Sequence, residues 1–124
     1  MNDTLRYLDF DCSEDAEGLG TFDAMASTAP AQVAAVQAEI ARVLDWAHAT
    51  FPGARAPLDE GGEWDYDLQG QREWTAPETL DYDATSGRFT VQVGPAGTPR
   101  HTVSFTLSGT PAFCEAFRRR FGPH

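Results

Sequence analysis

The densest run of side chains able to do chemistry is acidic: Asp59, Glu60, Glu63, Asp65 and Asp67 fall within nine residues. Residues two apart on a strand share a face at roughly 6.5–7 Å between Cα atoms. Asp65 and Asp67 therefore make a carboxylate pair, which can work as general acid and base or hold Mg²⁺ through several waters. Nothing near them supplies a nucleophile or an imidazole. The plainer expectation is a solvated strand face, with Trp64 and Tyr66 turned to the core and the acids turned out. A face of that kind attracts a basic partner by long-range steering.

Asp9, Asp11, Ser13 and Asp15 alternate as oxygen ligands do in a calcium loop. The spacing then breaks down, with Glu14 where the loop needs glycine and Gly20 where it needs a bidentate glutamate. The three histidines are isolated. His101 begins an apolar strand face, His48 flanks a helix and His124 ends the sequence. No pair lies at i, i+4, so the helical zinc signature is missing. Glycine-framed serine elbows, phosphate loops and dinucleotide fingerprints are missing as well. With no lysine at all, Schiff-base chemistry is excluded. Cys12 and Cys114 stand about a hundred residues apart and form no metal pattern, so both read as free thiols. No cofactor is expected.

The elements that would carry these residues follow from apolar periodicity. Leu5 to Asp11 alternates and reads as a strand, followed by a polar connection from Cys12 to Gly20. Thr21 to Ser27 reads as a second strand closing a hairpin. From Pro30 to Phe51, Val33, Val36, Ile40, Val43, Leu44, Ala47 and Phe51 recur at helical spacing, with Thr28 as the cap and Pro52-Gly53 as the stop. Glu39, Arg42 and Asp45 fall on the opposite face, and Trp46 on the flank.

Glu63–Glu73, Thr79–Asp83, Arg88–Val93 and Arg100–Ser108 are four further alternating runs. Ala84-Thr85-Ser86-Gly87 is a hairpin turn. Thr110-Pro111 starts a second helix that buries Phe113, Phe117 and Phe121, and Arg118, Arg119 and Arg120 complement its C-terminal dipole. The fold class implied is α+β in two layers: an antiparallel sheet of five or six strands with two helices on one face. The other face is polar, lined by Asp65, Asp67, Gln69, Thr90, Gln92, Thr102, Ser104 and Thr106.

The chain has 124 residues, 41% of them hydrophobic, which predicts one self-sufficient domain over 1–124. Its net charge of −10 is uneven. Residues 1–83 hold four arginines against 18 acids, whereas residues 84–124 hold five arginines against Glu115 alone. Nucleic acid and anionic membranes are therefore poor partners. Met1–Thr4 carries neither a basic nor an apolar segment, so a cytoplasmic chain without a signal peptide is expected. The alanine-rich, lysine-free composition fits GC-rich bacterial coding.

These features imply a small acidic, non-enzymatic interaction domain that binds a basic or polar protein through Asp59, Glu60, Glu63, Asp65 and Asp67. A homodimer, joining the basic C-terminal third to the acidic region of a second copy, is a further expectation. Two alternatives stand beside it. One is a metal-dependent enzyme built on the same carboxylates; the other is a small-molecule domain with its pocket between helix and sheet.

Overall fold

A computed structural model describes residues 4–122 as an α+β domain in which two helices cover one face of an antiparallel sheet. Strands β1 (Asp11–Glu14), β2 (Gly20–Thr28), β3 (Trp64–Glu73) and β6 (Arg100–Gly109) form this sheet in the order β1-β2-β6-β3. Strands β4 (Glu78–Asp83) and β5 (Arg88–Val93) pair only with each other. Helix α1 (Val33–Thr50) links β2 to β3, and helix α2 (Pro111–Phe121) follows β6. Among the described residues no helix is long and apolar enough to cross a membrane.

Register decides which side chains are covered. Phe22 pairs with Leu107, Ala24 with Phe105 and Ala26 with Val103, and these residues turn to the helices. On β3, Trp64, Tyr66 and Leu68 share that inner face through Gly109, Leu107 and Phe105. Gly20 lies opposite Gly109, and a Cβ on either would strike α2, at Cys114 and Phe113 respectively. Bare backbone at this pair lets α2 lie flat on the sheet.

The core that results is aromatic: Phe22 packs on Phe117 at 4.3 Å between ring centroids, and Trp64 stacks on Phe113 at 5.8 Å. Trp46 sits half-buried against Phe113, Phe117 and Phe121. Thr110 caps α2, its hydroxyl accepting from the Phe113 N–H.

Three expectations require correction. The first is the N-terminal strand, which lies over Asp11–Glu14 and not over Leu5–Asp11. The N–H groups of Arg6, Tyr7 and Leu8 instead donate to the Glu39 carboxylate of α1, at 2.7, 3.0 and 3.1 Å. Backbone donors committed to a carboxylate cannot also form a ladder. Glu39 is accordingly buried, although its place in the helix pattern put it on the solvent face. Arg42 adds a bond from its guanidinium to the Thr4 carbonyl at 2.8 Å.

The second concerns the start of the long helix. Pro30–Gln32 forms a 3₁₀ turn before α1, neither start has a side-chain cap, and Thr28 ends β2. The third is strand count, because the sheet has four strands and β4–β5 stands apart. Thr90 and Gln92 consequently do not line the sheet's polar face, whereas Asp65, Asp67, Gln69, Thr102, Ser104 and Thr106 do. Leu68 shares the inner face of β3 with Trp64 and Tyr66 yet is 43% exposed, because the helices cover only part of that strand.

The separation of β4–β5 has a local cause. The β3–β6 ladder ends at Glu73–Arg100 and the β4–β5 ladder begins at Glu78–Val93, with residues 74–77 on one side and 94–99 on the other. Pro77, Pro95 and Pro99 lie in those connections and have no N–H to donate. Two bonds still cross the gap, from Gly97 N–H to Thr75 O and from Gly94 N–H to Pro77 O, both at 2.8 Å. The β4–β5 pair is thus an arm that continues the β3–β6 ribbon.

Candidate functional site

The five acids singled out by sequence do not form one cluster of free charge. Asp59 and Glu60 lie in a 3₁₀ turn (Leu58–Glu60), exposed, and Glu63 is an exposed residue just before β3. Asp65 is ion-paired to Arg55, whose Nε donates to Oδ1 at 2.9 Å while its guanidinium stacks on Tyr66 at 4.5 Å. Asp67 is exposed on the outer sheet face, accepting from the Gln69 amide at 3.0 Å. In register it shares a row with Thr106, Asp23 and Asp11 of the neighbouring strands. Within that row the Thr106 hydroxyl donates to Asp23 at 2.7 Å. Among the described residues, no three His, Cys, Asp or Glu side chains are placed to hold a metal ion.

The residues that alternate as calcium ligands do are dispersed too. Asp11 and Ser13 belong to β1, while Asp15 organises the β1–β2 turn by accepting from the Glu17 and Leu19 N–H groups at 2.8 and 3.0 Å. The basic C-terminal helix is engaged internally. Arg118 donates to Cys12 and Glu14, which together push its pKa up, and Arg119 pairs with Glu115. Cys12 is exposed; Cys114 is buried, and burial raises its thiol pKa. A buried thiol of raised pKa is a poor nucleophile. His124 lies outside the described residues.

Two features remain. One is a half-open cleft of about 410 Å³ between the first turns of α1 and the inner sheet face near the root of the arm. Ala26, Val36 and Val103 supply its apolar lining, and Gln37, Arg72 and His101 its polar groups. His101 pairs directly with Arg72 across β6 and β3, so two basic side chains share one wall.

The other feature is the arm itself. Residues directly opposite in an antiparallel ladder share a face, so Glu78–Val93, Leu80–Val91 and Tyr82–Phe89 form three rows on one side. Thr79–Gln92, Asp81–Thr90 and Asp83–Arg88 form the other side. The first side is apolar apart from Glu78 and is uncovered. Leu80, Tyr82, Phe89, Val91 and Val93 are 52–66% exposed, and Trp74 at the root is 56% exposed.

Tyr82 and Phe89 lie 5.2 Å apart between centroids at the tip. The turn there is well formed. Asp83 accepts from Thr85 N–H, and this bond together with those from Ser86 lowers its pKa, while Gly87 adopts φ 71°.

These apolar residues alternate as core strands do, and alternation alone places their strands in the helix-covered sheet. A contrary signal was present in the helix inventory, since helices of 18 and 11 residues cannot cover six strands. No protein-family model matches the chain, and neither a curated protein nor a solved structure is significantly similar to it.

Proposed function

We propose that the protein is a non-enzymatic interaction domain whose contact surface is the apolar face of the β4–β5 arm. One observation carries this reading: five large apolar side chains lie on a single face of a two-stranded arm, each at least half exposed. Monomeric proteins rarely leave a contiguous apolar patch of more than a few hundred Å² in water, and larger patches mark interaction sites. The acids at 59–67 are then a solvated surface, with Asp65 already neutralised by Arg55. Two free cysteines suit a reducing, cytoplasmic compartment.

The test is affinity capture from a lysate of the source organism by three tagged forms: wild type, Phe89→Ser/Val91→Ser, and Asp65→Arg/Asp67→Arg. The arm variant should lose the captured protein, whether a different chain or an untagged second copy. The acid reversal should keep it. Loss confined to the acid reversal would return the interface to the acidic stretch.

The cleft favours a second reading, a pocket between helix and sheet for a small anionic molecule held by Arg72 and His101 over an apolar lining. A ligand bound only by the native state raises its melting temperature. A panel of small carboxylates that shifts wild type but not Arg72→Ala would support this reading, and a flat panel would remove it.

A further inference from the structure

We infer that the arm's occupant is the arm of a second copy, the two stacking face to face and antiparallel about a two-fold axis. The inference rests on the arm being an interaction surface and adds the identity of the partner. Its first support is area. A fully bare aromatic side chain presents roughly 150–250 Å² and Leu or Val somewhat less, so the five side chains of the face, left 52–66% exposed, together with Trp74 at its root offer about 600 Å². Two such faces together remove roughly 1,200 Å² from water, above the ~1,000 Å² floor of a specific interface.

The second support is self-complementarity. A two-fold axis crossing the strands at the Leu80–Val91 row sets each β4 over the β4 of its partner, running the opposite way. Phe89 then meets Val93 of the partner subunit, and Leu80 meets its own counterpart. Tyr82 comes over Glu78 of the partner subunit, so the one charged group on this face meets a phenolic hydroxyl able to donate to it. An isologous contact of this kind closes on itself and leaves no apolar row unmatched.

The third support is charge. Residues 72–100 hold three arginines against four acids, so the arm and its roots carry −1 of the chain's −10. Two copies therefore meet through a nearly neutral region, which limits the repulsion between two chains of net charge −10. The apolar face carries no pattern of acids that would select a basic partner instead.

Sedimentation analysis of the full chain from 1 to 200 µM, at low and at high salt, tests the inference. The expected result is a monomer–dimer equilibrium ending at twice the 13.5 kDa chain mass, strengthened by salt because the residual repulsion between acidic copies is screened. Leu80→Glu places two like charges against each other across the axis and should weaken the dimer at least ~30-fold. Asp81→Lys, on the opposite face, should leave it intact. Circular dichroism confirms that both variants remain folded.

A dimer that survives Leu80→Glu overturns the inference. So does a wild type still monomeric at 200 µM. If that monomer captures a different protein through Phe89 and Val91, only the identity of the partner was wrong. If arm substitutions change no capture either, the interaction reading falls with it.

Discussion

The β2–β6 and β4–β5 ladders are built alike and end differently. Both are antiparallel and both alternate apolar with polar residues. In the first, Phe22, Phe105 and Leu107 lie under two helices and are inaccessible to water. In the second, Tyr82, Phe89 and Val93 stand in water at 60%, 65% and 66% exposure. Alternation thus specifies that a strand has an apolar face, and a separate supply of covering elements specifies whether that face is buried. Here α1 and α2 are both spent on the four-stranded sheet, and none remains for the arm.

The largest expected effect lies where the covered ladder meets its helices. Phe113 stacks on Trp64 and touches Trp46, Phe51 and Phe117, so Phe113→Ala opens a cavity at the centre of the core. A loss of about 3–5 kcal/mol is expected in urea unfolding. Phe105→Ala should fall in the same range, whereas Phe89→Ala on the arm should cost under ~1 kcal/mol under dilute, monomeric conditions. Equal losses for these two phenylalanines would show the arm face to be covered in solution, and would erase the contrast between the ladders.

Glu39→Ala comes next, at about 2–4 kcal/mol, because it strands three backbone N–H groups, that of Leu8 buried and those of Arg6 and Tyr7 partly so. Glu39→Gln keeps an acceptor and should cost less. Amide exchange should localise the loss to Arg6, Tyr7 and Leu8, and faster exchange spread evenly over the sheet would contradict this account of the N-terminal segment. Replacing 75–98 by a two-residue Asn-Gly turn should shift the melting temperature by only a few degrees, since the arm lends the body few contacts. A collapse of the body on arm deletion would make the two ladders one cooperative unit.

The smallest effect concerns the turn at the tip. Asp83 titrates below its ordinary value because Thr85 and Ser86 donate to its carboxylate. A folded pKa lowered in this way stabilises the turn above the unfolded value, and the stabilisation is lost as pH falls through the folded one. Exchange at the Thr85 amide should therefore accelerate, relative to its intrinsic rate, at acid pH in wild type but not in Asp83→Ala. The body should be unaffected.

Most elements were legible because their signals are local. The period of Val33, Val36, Ile40, Val43 and Ala47 marks α1, Thr110-Pro111 marks the start of α2, and Ala84–Gly87 marks the arm's turn. Glu39 was not legible. Its position in the helix pattern is that of a surface residue, and only the N-terminal segment folding over it makes it buried. The displacement of β1 has the same origin. Of the candidate sites, the acids at 59–67 were visible as a run, but their dispersal over a turn, an ion pair and a strand face depends on Arg55 reaching Asp65.

The sequence by itself therefore determined the two helices apart from the start of α1, the turns, five of the six strands and which side chains alternate along each, because these follow from backbone preference and from periods of 3.6 and 2. Only the tertiary structure decided that four strands share one sheet and two leave it, that a carboxylate on α1 receives the N-terminal backbone, and that an apolar strand face stays in water. Those outcomes depend on how many elements are available to cover one another and on donors and acceptors far apart in the chain, and no local window of residues contains that information.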